Sequence, residues 1–174
     1  SAFSRMHVQK TWDGILNTPI SLDDVVLAEM LWAGFKALFS VIAILGVMLA
    51  LKISLSPKLI LVPPILLIAG VTFASMALVF NAKAKGYDFF TYYFAVLLSP
   101  MMFLSGVFFP RTQLPAFAQA ITDWLPLTAA VELVRPLFLD QWPEHAARHL
   151  AVLALYAIAS FWIALAFTRQ RFRR

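Results

Sequence analysis

Long apolar runs separated by short polar joints organise the chain. Four of these runs, 30–51, 59–80, 89–109 and 150–167, are long enough to cross a hydrocarbon core of about 30 Å, which takes about 20 helical residues. The first holds Lys36 as its single internal charge and the other three hold none. Lipid cannot satisfy an open strand edge, and the barrel signature of alternating apolar and polar positions over about ten residues is missing, so the spans are expected to be helices. Within them, Gly46 with Ala50 and Gly70 with Ala74 place small residues four apart, a spacing that permits close helix approach. Pro63, Pro64 and Pro100 are expected to kink or locally open their helices, either as packing geometry or as a moving hinge.

Two polar regions carry a helical pattern of their own. Near the start, Val8, Trp12, Ile15 and Leu16 recur at i, i+4, i+7 and i+8, with Gln9, Lys10, Asp13 and Asn17 on another face. This predicts a short amphipathic helix that Thr18 and Pro19 stop. Ser21 followed by Asp24 then has the form of a capping box opening the next helix. Such a segment either lies on the lipid surface or docks a cytoplasmic partner; its acidic Asp13, Asp23 and Asp24 suit docking better than adhesion to anionic lipid. The second region, 110–149, is too polar to span. Leu114, Phe117, Ala118, Ile121, Trp124 and Leu125 keep helical spacing up to a break at Pro126, and a second short helix follows from Leu127 towards Pro136, as in re-entrant or interfacial elements. Glu132 and Arg135, three apart, form either a surface ion pair or, if buried, part of an exit path for a polar head group.

Composition strengthens the membrane reading. Of the 174 residues 61% are apolar and only 13% charged, and the mean hydropathy is +0.81. Fourteen Lys+Arg and nine Asp+Glu cannot supply the polar shell of a soluble domain. The net charge of +5 points to no nucleic acid, because in a membrane chain the position of the cations matters more than their sum. With the N-terminal segment inside, eight cations (Arg5, Lys10, Lys83, Lys85, Arg169, Arg171, Arg173, Arg174) face the cytoplasm and five (Lys52, Lys58, Arg111, Arg135, Arg148) face outward. Both ends are therefore expected in the cytoplasm, with Tyr87, Tyr92 and Tyr93 at the inner interface and Trp124 and Trp142 in the outer region. The expected fold is an all-α integral membrane protein, with a cytoplasmic amphipathic segment at 1–29 and a membrane domain at 30–174. The opening residues hold no signal-peptide core and read as the continuation of a longer, N-terminally truncated chain.

Candidate chemistry is sparse. The chain has no cysteine, hence no disulfide, thiolate metal site or cysteine nucleophile. It has no Gly-x-x-x-x-Gly-Lys-Ser/Thr loop, so nucleotide hydrolysis by that chemistry would belong to a partner. His145 and His149 stand four apart without an evident third metal ligand, and Ser99, Ser105 and Thr128 lack a recognisable His/Asp arrangement.

The run Arg5-Met6, Gln9, Thr11-Trp12-Asp13, Ile15-Leu16, Thr18-Pro19, Leu22-Asp23-Asp24 and Glu29 resembles the cytoplasmic segment of type 2 ATP-binding-cassette (ABC) exporter permeases. Tyr87-Asp88-Phe89-Phe90, Pro100, Phe103-Leu104-Ser105-Gly106, Phe109-Pro110, Gln113-Leu114-Pro115, Leu125-Pro126-Leu127, Glu132-Leu133 and Arg135-Pro136 are similar to later motifs of that family, most closely its nodulation branch associated with lipooligosaccharide export. The resemblance covers essentially the whole chain and implies six membrane helices, of which the four here correspond to helices three to six. It implies an ATPase-coupling interface at Trp12, Asp13, Leu16, Thr18, Pro19, Asp23 and Asp24. It places Ser105, Gly106, Pro110, Pro126, Glu132 and Arg135 in the translocation path or the outer re-entrant region. Glu132 departs from relatives that carry Asp there, with the charge kept. The implied partners are an ABC ATPase subunit, which would hold ATP and Mg, a second permease copy or close paralogue, the bacterial inner membrane and an amphiphilic glycan or drug as cargo. No catalytic residue, metal or cofactor is expected in this chain. A membrane enzyme acting on lipids or glycans, and a passive anchor subunit, are the rival classes.

Overall fold

The computed structural model describes residues 2–84, 86–108, 113 and 115–172, and every regular element among them is helical. A π-helical stretch Ser4–Val8 is followed by α1 (Thr11–Leu16), and α2 (Leu22–Ala50) then runs through the first apolar stretch. The capping box forms as expected. The hydroxyl of Ser21 accepts the backbone N–H of Asp24 at 3.2 Å, and the Asp24 carboxylate accepts the N–H of Ser21 at 3.1 Å.

A 3-10 turn Pro57–Leu61 leads into α3 (Val62–Lys83). Pro63 and Pro64 therefore sit in the first turn of α3, where a missing N–H has no intrahelical partner to lose, and they start the helix rather than kink it. Pro100 behaves differently. The third apolar run divides into α4 (Asp88–Tyr92), a π-helical stretch Tyr93–Leu98 and α5 (Ser99–Leu104). The widening falls just before the proline, and the carbonyl of Phe94 accepts both the N–H of Ser99 and its hydroxyl, the latter at 3.1 Å. This apolar helix, Asp88–Leu104, is shorter than the other three runs. At about 1.5 Å per residue it reaches about 25 Å, the lower limit for crossing. Two short helices follow, α6 (Ala116–Thr122) and α7 (Pro126–Phe138), and α8 (Ala146–Phe172) closes the chain. Leu22–Ala50, Pro57–Lys83 and Ala146–Arg171 are long and apolar enough to cross a membrane.

The second of these, which contains α3, packs against α2, α7 and α8. It meets α2 backbone to backbone. A Cβ on Gly34 would lie 2.7 Å from Cγ2 of Val71, and one on Gly70 would lie 3.0 Å from Cβ of Ala37 and 3.5 Å from Cα of Gly34. The small pair that matters is thus Gly34 with Gly70, whereas Gly46 faces open space and makes no helix contact. Against α8, α3 buries Ala69 and Thr72, and Ser75 is buried one turn further along. The Thr72 hydroxyl donates to the carbonyl of Ile68 at 2.9 Å or across the interface to that of Leu153 at 3.2 Å. Small and hydroxyl side chains are what helix contacts in lipid use, since burial of alkyl groups gives no advantage over lipid tails.

Each end of the bundle has its own clasp. At one end, Arg169 of α8 grips the carboxylate of Asp23 with two donors, Nε at 3.0 Å and Nη2. Beside it Arg171 donates to the carbonyls of Ala82 and Ala84, both at 2.9 Å, and of Asn81 at 3.5 Å, so a cation from α8 caps the last turn of α3. At the opposite end the loop before α3 is tied to the end of α7. Ser54 donates to the carbonyl of Phe138 at 2.9 Å, Ser56 to the Asp140 carboxylate at 2.8 Å, and Lys58 to the Asp140 carbonyl at 2.6 Å.

Candidate functional site

The N-terminal segment is anchored from within. Trp12 is among the most deeply buried side chains, and it packs with Met6, Val25, Val26, Met30, Leu78, Ala164 and Leu165, residues drawn from the segment itself and from α2, α3 and α8. Its indole N–H points at the Glu29 carboxylate, 3.4 Å away, and Arg5 pairs with the other oxygen of that carboxylate. Met6 meets the side-chain amide of Asn81 on α3 at 3.6 Å. One short stretch of chain therefore touches three long helices at once.

The expected continuous amphipathic helix is interrupted. Lys10 adopts a left-handed backbone (φ 51°), which breaks the helix between Val8 and Thr11 and leaves Val8 exposed, away from the face that carries Trp12. Leu16 is half-buried against the same cluster as Trp12. Asp13, Thr18 and Pro19 stand exposed, Thr18 closing its turn by donating to the carbonyl of Ile15. Asp23 is held by Arg169 and Asp24 by the cap at Ser21. The exposed rim of this segment is thus Asp13, Ile15, Thr18, Pro19 and Ile20, with Trp12 beneath it as the anchor. Sequence periodicity found Trp12, Ile15 and Leu16. It gave no sign of Ile20, which lies outside the helix, or of Arg5, Glu29 and Asn81, whose roles come from tertiary contact.

Helices α6 and α7 form the opposite end. Ser105 is buried, and Gly106 turns the chain with φ 81°, a left-handed conformation that a side chain would strain. Arg135 of α7 donates to the Gly106 carbonyl, which fixes that turn on α7. Among the described residues no ion pair joins Arg135 to Glu132, so the surface pair expected from their spacing gives way to a tertiary bond. Pro126 is buried in the first turn of α7. Pro110 lies outside the described residues, as do Lys85, Arg111, Leu114, Arg173 and Arg174. A cavity of about 560 Å³ opens beside α7, apolar except for Arg135, with Leu66, Val107, Val131 and Val134 in its wall. Asp123 and Arg148 pair at 3.2 Å across α6 and α8. Among the described residues no three His, Cys, Asp or Glu side chains gather as metal ligands.

Residues 1–139 match the family model described as ABC-2 type transporter. The chain belongs to that family. Its relatives include Nodulation protein J of Bradyrhizobium diazoefficiens, 37% identical over 174 residues that cover 100% of this chain and 66% of the relative. Nodulation protein J of Rhizobium leguminosarum bv. viciae is 38% identical over 174 residues, covering 100% of this chain and 67% of the relative. That of Sinorhizobium fredii is 36% identical over 171 residues, 98% of this chain and 65% of the relative. The chain spans about two thirds of the length of these relatives. No solved structure matches it. Family membership and three helices long and apolar enough to cross a membrane make it a multi-pass membrane protein.

Proposed function

We infer that the chain is the membrane-embedded part of an ATP-driven exporter permease of the bacterial inner membrane, with both described ends cytoplasmic, and that its N-terminal segment receives the motion of a partner ABC ATPase. ATP and Mg are held by that partner, and a second permease copy or close paralogue completes the pathway. The observation that carries this reading is the anchoring of Trp12. A load applied to the exposed rim at Asp13, Ile15 and Pro19 reaches α2 through Glu29, α3 through Asn81 and α8 through Ala164 and Leu165. Nucleotide-driven closure of the ATPase pair would push on that rim and shift the helices between two arrangements, which is conformational coupling and not chemistry. The turn at Ser105 and Gly106, held by Arg135 of the helix that also carries Pro126 and Glu132, forms the outer end of the path.

The proposed cargo is a lipooligosaccharide, polysaccharide or other lipid-linked glycan. Support comes from the similarity to Nodulation protein J and from apolar spans that suit a lipid-tailed molecule. Inverted membrane vesicles carrying the full-length permease and its ATPase should accumulate a lipooligosaccharide in an ATP-dependent manner, and Ile15→Asp should abolish uptake with the permease still inserted. Uptake of amphiphilic drugs in place of the glycan would move the assignment to multidrug export. Activity on a lipid or glycan without any ATPase would replace transport by membrane-enzyme chemistry.

A further inference from the structure

Lys36 is the one charge within the apolar runs, and it lies about 9 Å of helix beyond Met30, deeper than a residue at a helix end. A cation at that depth is tolerated where it faces a polar cavity or a counter-charge. No carboxylate among the described residues is within ion-pair distance of it. Instead its ammonium lies 5.3 Å from the centroid of the Trp32 ring on its own helix. The group borders a cleft of about 340 Å³ between α2, α3 and the start of α4, lined among others by Glu29, Trp32, Lys36, Asn81, Tyr87 and Phe90. Asn81 is 4% exposed, and its side-chain oxygen has no hydrogen-bond partner. Glu29 is already neutralised by Arg5. A buried amide whose oxygen lacks a donor, a cation with no carboxylate beside it and aromatic walls meet in one mostly apolar cleft, which calls for an amphiphilic ligand with a negative charge and a hydrogen-bond donor.

The size selects among ligands. About 340 Å³ is at the small end of small-molecule sites, room for one head group and too little for an oligosaccharide. Above the cleft, Trp32, Lys36, Phe39 and Ala43 follow one another up a single stripe of α2, and Phe39 is 72% exposed. That stripe is a track for an alkyl chain. We propose that the cleft between α2, α3 and α4 holds the anionic head group of a membrane phospholipid from the leaflet on the side of Arg169, with Lys36 on its phosphate, the Asn81 side-chain oxygen accepting a head-group hydroxyl and an acyl chain along Phe39. This lipid is a resident of the permease and not its cargo.

The test is native mass spectrometry of the full-length permease assembled with its ATPase, offered phosphatidylglycerol and phosphatidylethanolamine of equal chain length. Wild type is expected to retain phosphatidylglycerol about fivefold better, the factor that about 1 kcal/mol from one lysine facing an anionic lipid provides. Lys36→Gln should remove that preference, Lys36→Arg should keep it, and Lys52→Gln, a change of equal charge in the opposite loop, should leave it intact. Asn81→Leu, which replaces that acceptor with alkyl atoms, is expected to lower retention as well. Inorganic phosphate should not displace the bound lipid, since it has no chain to lie along Phe39. Equal retention of the two lipids by wild type, an unchanged preference in Lys36→Gln, an equal loss in Lys52→Gln or displacement by phosphate would each overturn the proposal. Lipid retention is read without transport, so it stands or falls apart from the cargo.

Discussion

Gly34 and Gly46 occupy the same helix, yet only the first lies where a side chain would collide, 2.7 Å from Cγ2 of Val71. Gly34→Leu is expected to destabilise the α2–α3 contact by about 1–3 kcal/mol, the range for overpacking. Thermal unfolding in detergent should show a lowered Tm for Gly34→Leu and none for Gly46→Leu; equal effects would contradict the contact. The sequence marked Gly46 and Gly70 by the same four-residue spacing, and spacing cannot say which face of a nearly uniformly apolar helix meets a neighbour. Arg171 was legible only as part of a basic tail. In the structure it caps two carbonyls of the last turn of α3 and that of Ala84 just beyond it. Arg171→Gln should cost about 1–3 kcal/mol locally, because buried carbonyls lose a charged donor. Faster amide exchange at 80–84 checks it, and unchanged exchange would remove the cap from the account.

Among the elements, the loop before α3 and the end of α7 are joined through Asp140, whose carboxyl is held below the ordinary aspartate value of 3.8, first by the Ser56 hydroxyl and then by the Lys58 ammonium. A depressed carboxyl contributes its stability above the unfolded value and loses it as pH falls through the folded one. The clasp should therefore be intact at neutral pH and loosen only below about pH 4. Hydrogen exchange over 52–58 should rise in that acid range, and Asp140→Asn should raise it already at pH 7; identical exchange in both proteins would contradict the clasp. The elements themselves were readable where a physical signal is local. The capping box at Ser21, the break at Pro126 where α7 begins and the apolar lengths of α2, α3 and α8 follow from neighbours in sequence. The opening of the helix before Pro100 follows from the proline itself, whereas the break at Lys10 did not follow from neighbours, because it depends on Trp12 reaching the bundle. At the N-terminal segment the two kinds of residue separate by experiment. Trp12→Ala should cost about 3–5 kcal/mol and release the segment from the bundle. Ile15→Asp, on the exposed rim, should leave folding and insertion as they were.

Taken as a whole molecule, the chain joins its N-terminal segment to α2, α3 and α8 at one end and its α7 to the same helices at the other, with α3 shared by both. Membrane class was legible from composition, and the permease family from motif order. The junction through Glu29 and Asn81 was not, since polar residues far apart in sequence carry it. The absence of cysteine makes the central claim directly measurable. In a full-length permease with no other cysteine, a single cysteine placed at Ile15 and a second variant with one at Phe117, on α6 at the opposite end, are each assembled with the ATPase and treated with a short thiol–amine crosslinker. The account predicts an ATPase adduct from position 15 whose yield changes on ATP binding, and none from position 117. No adduct from position 15 in an intact complex, or an equal adduct from position 117, would contradict it.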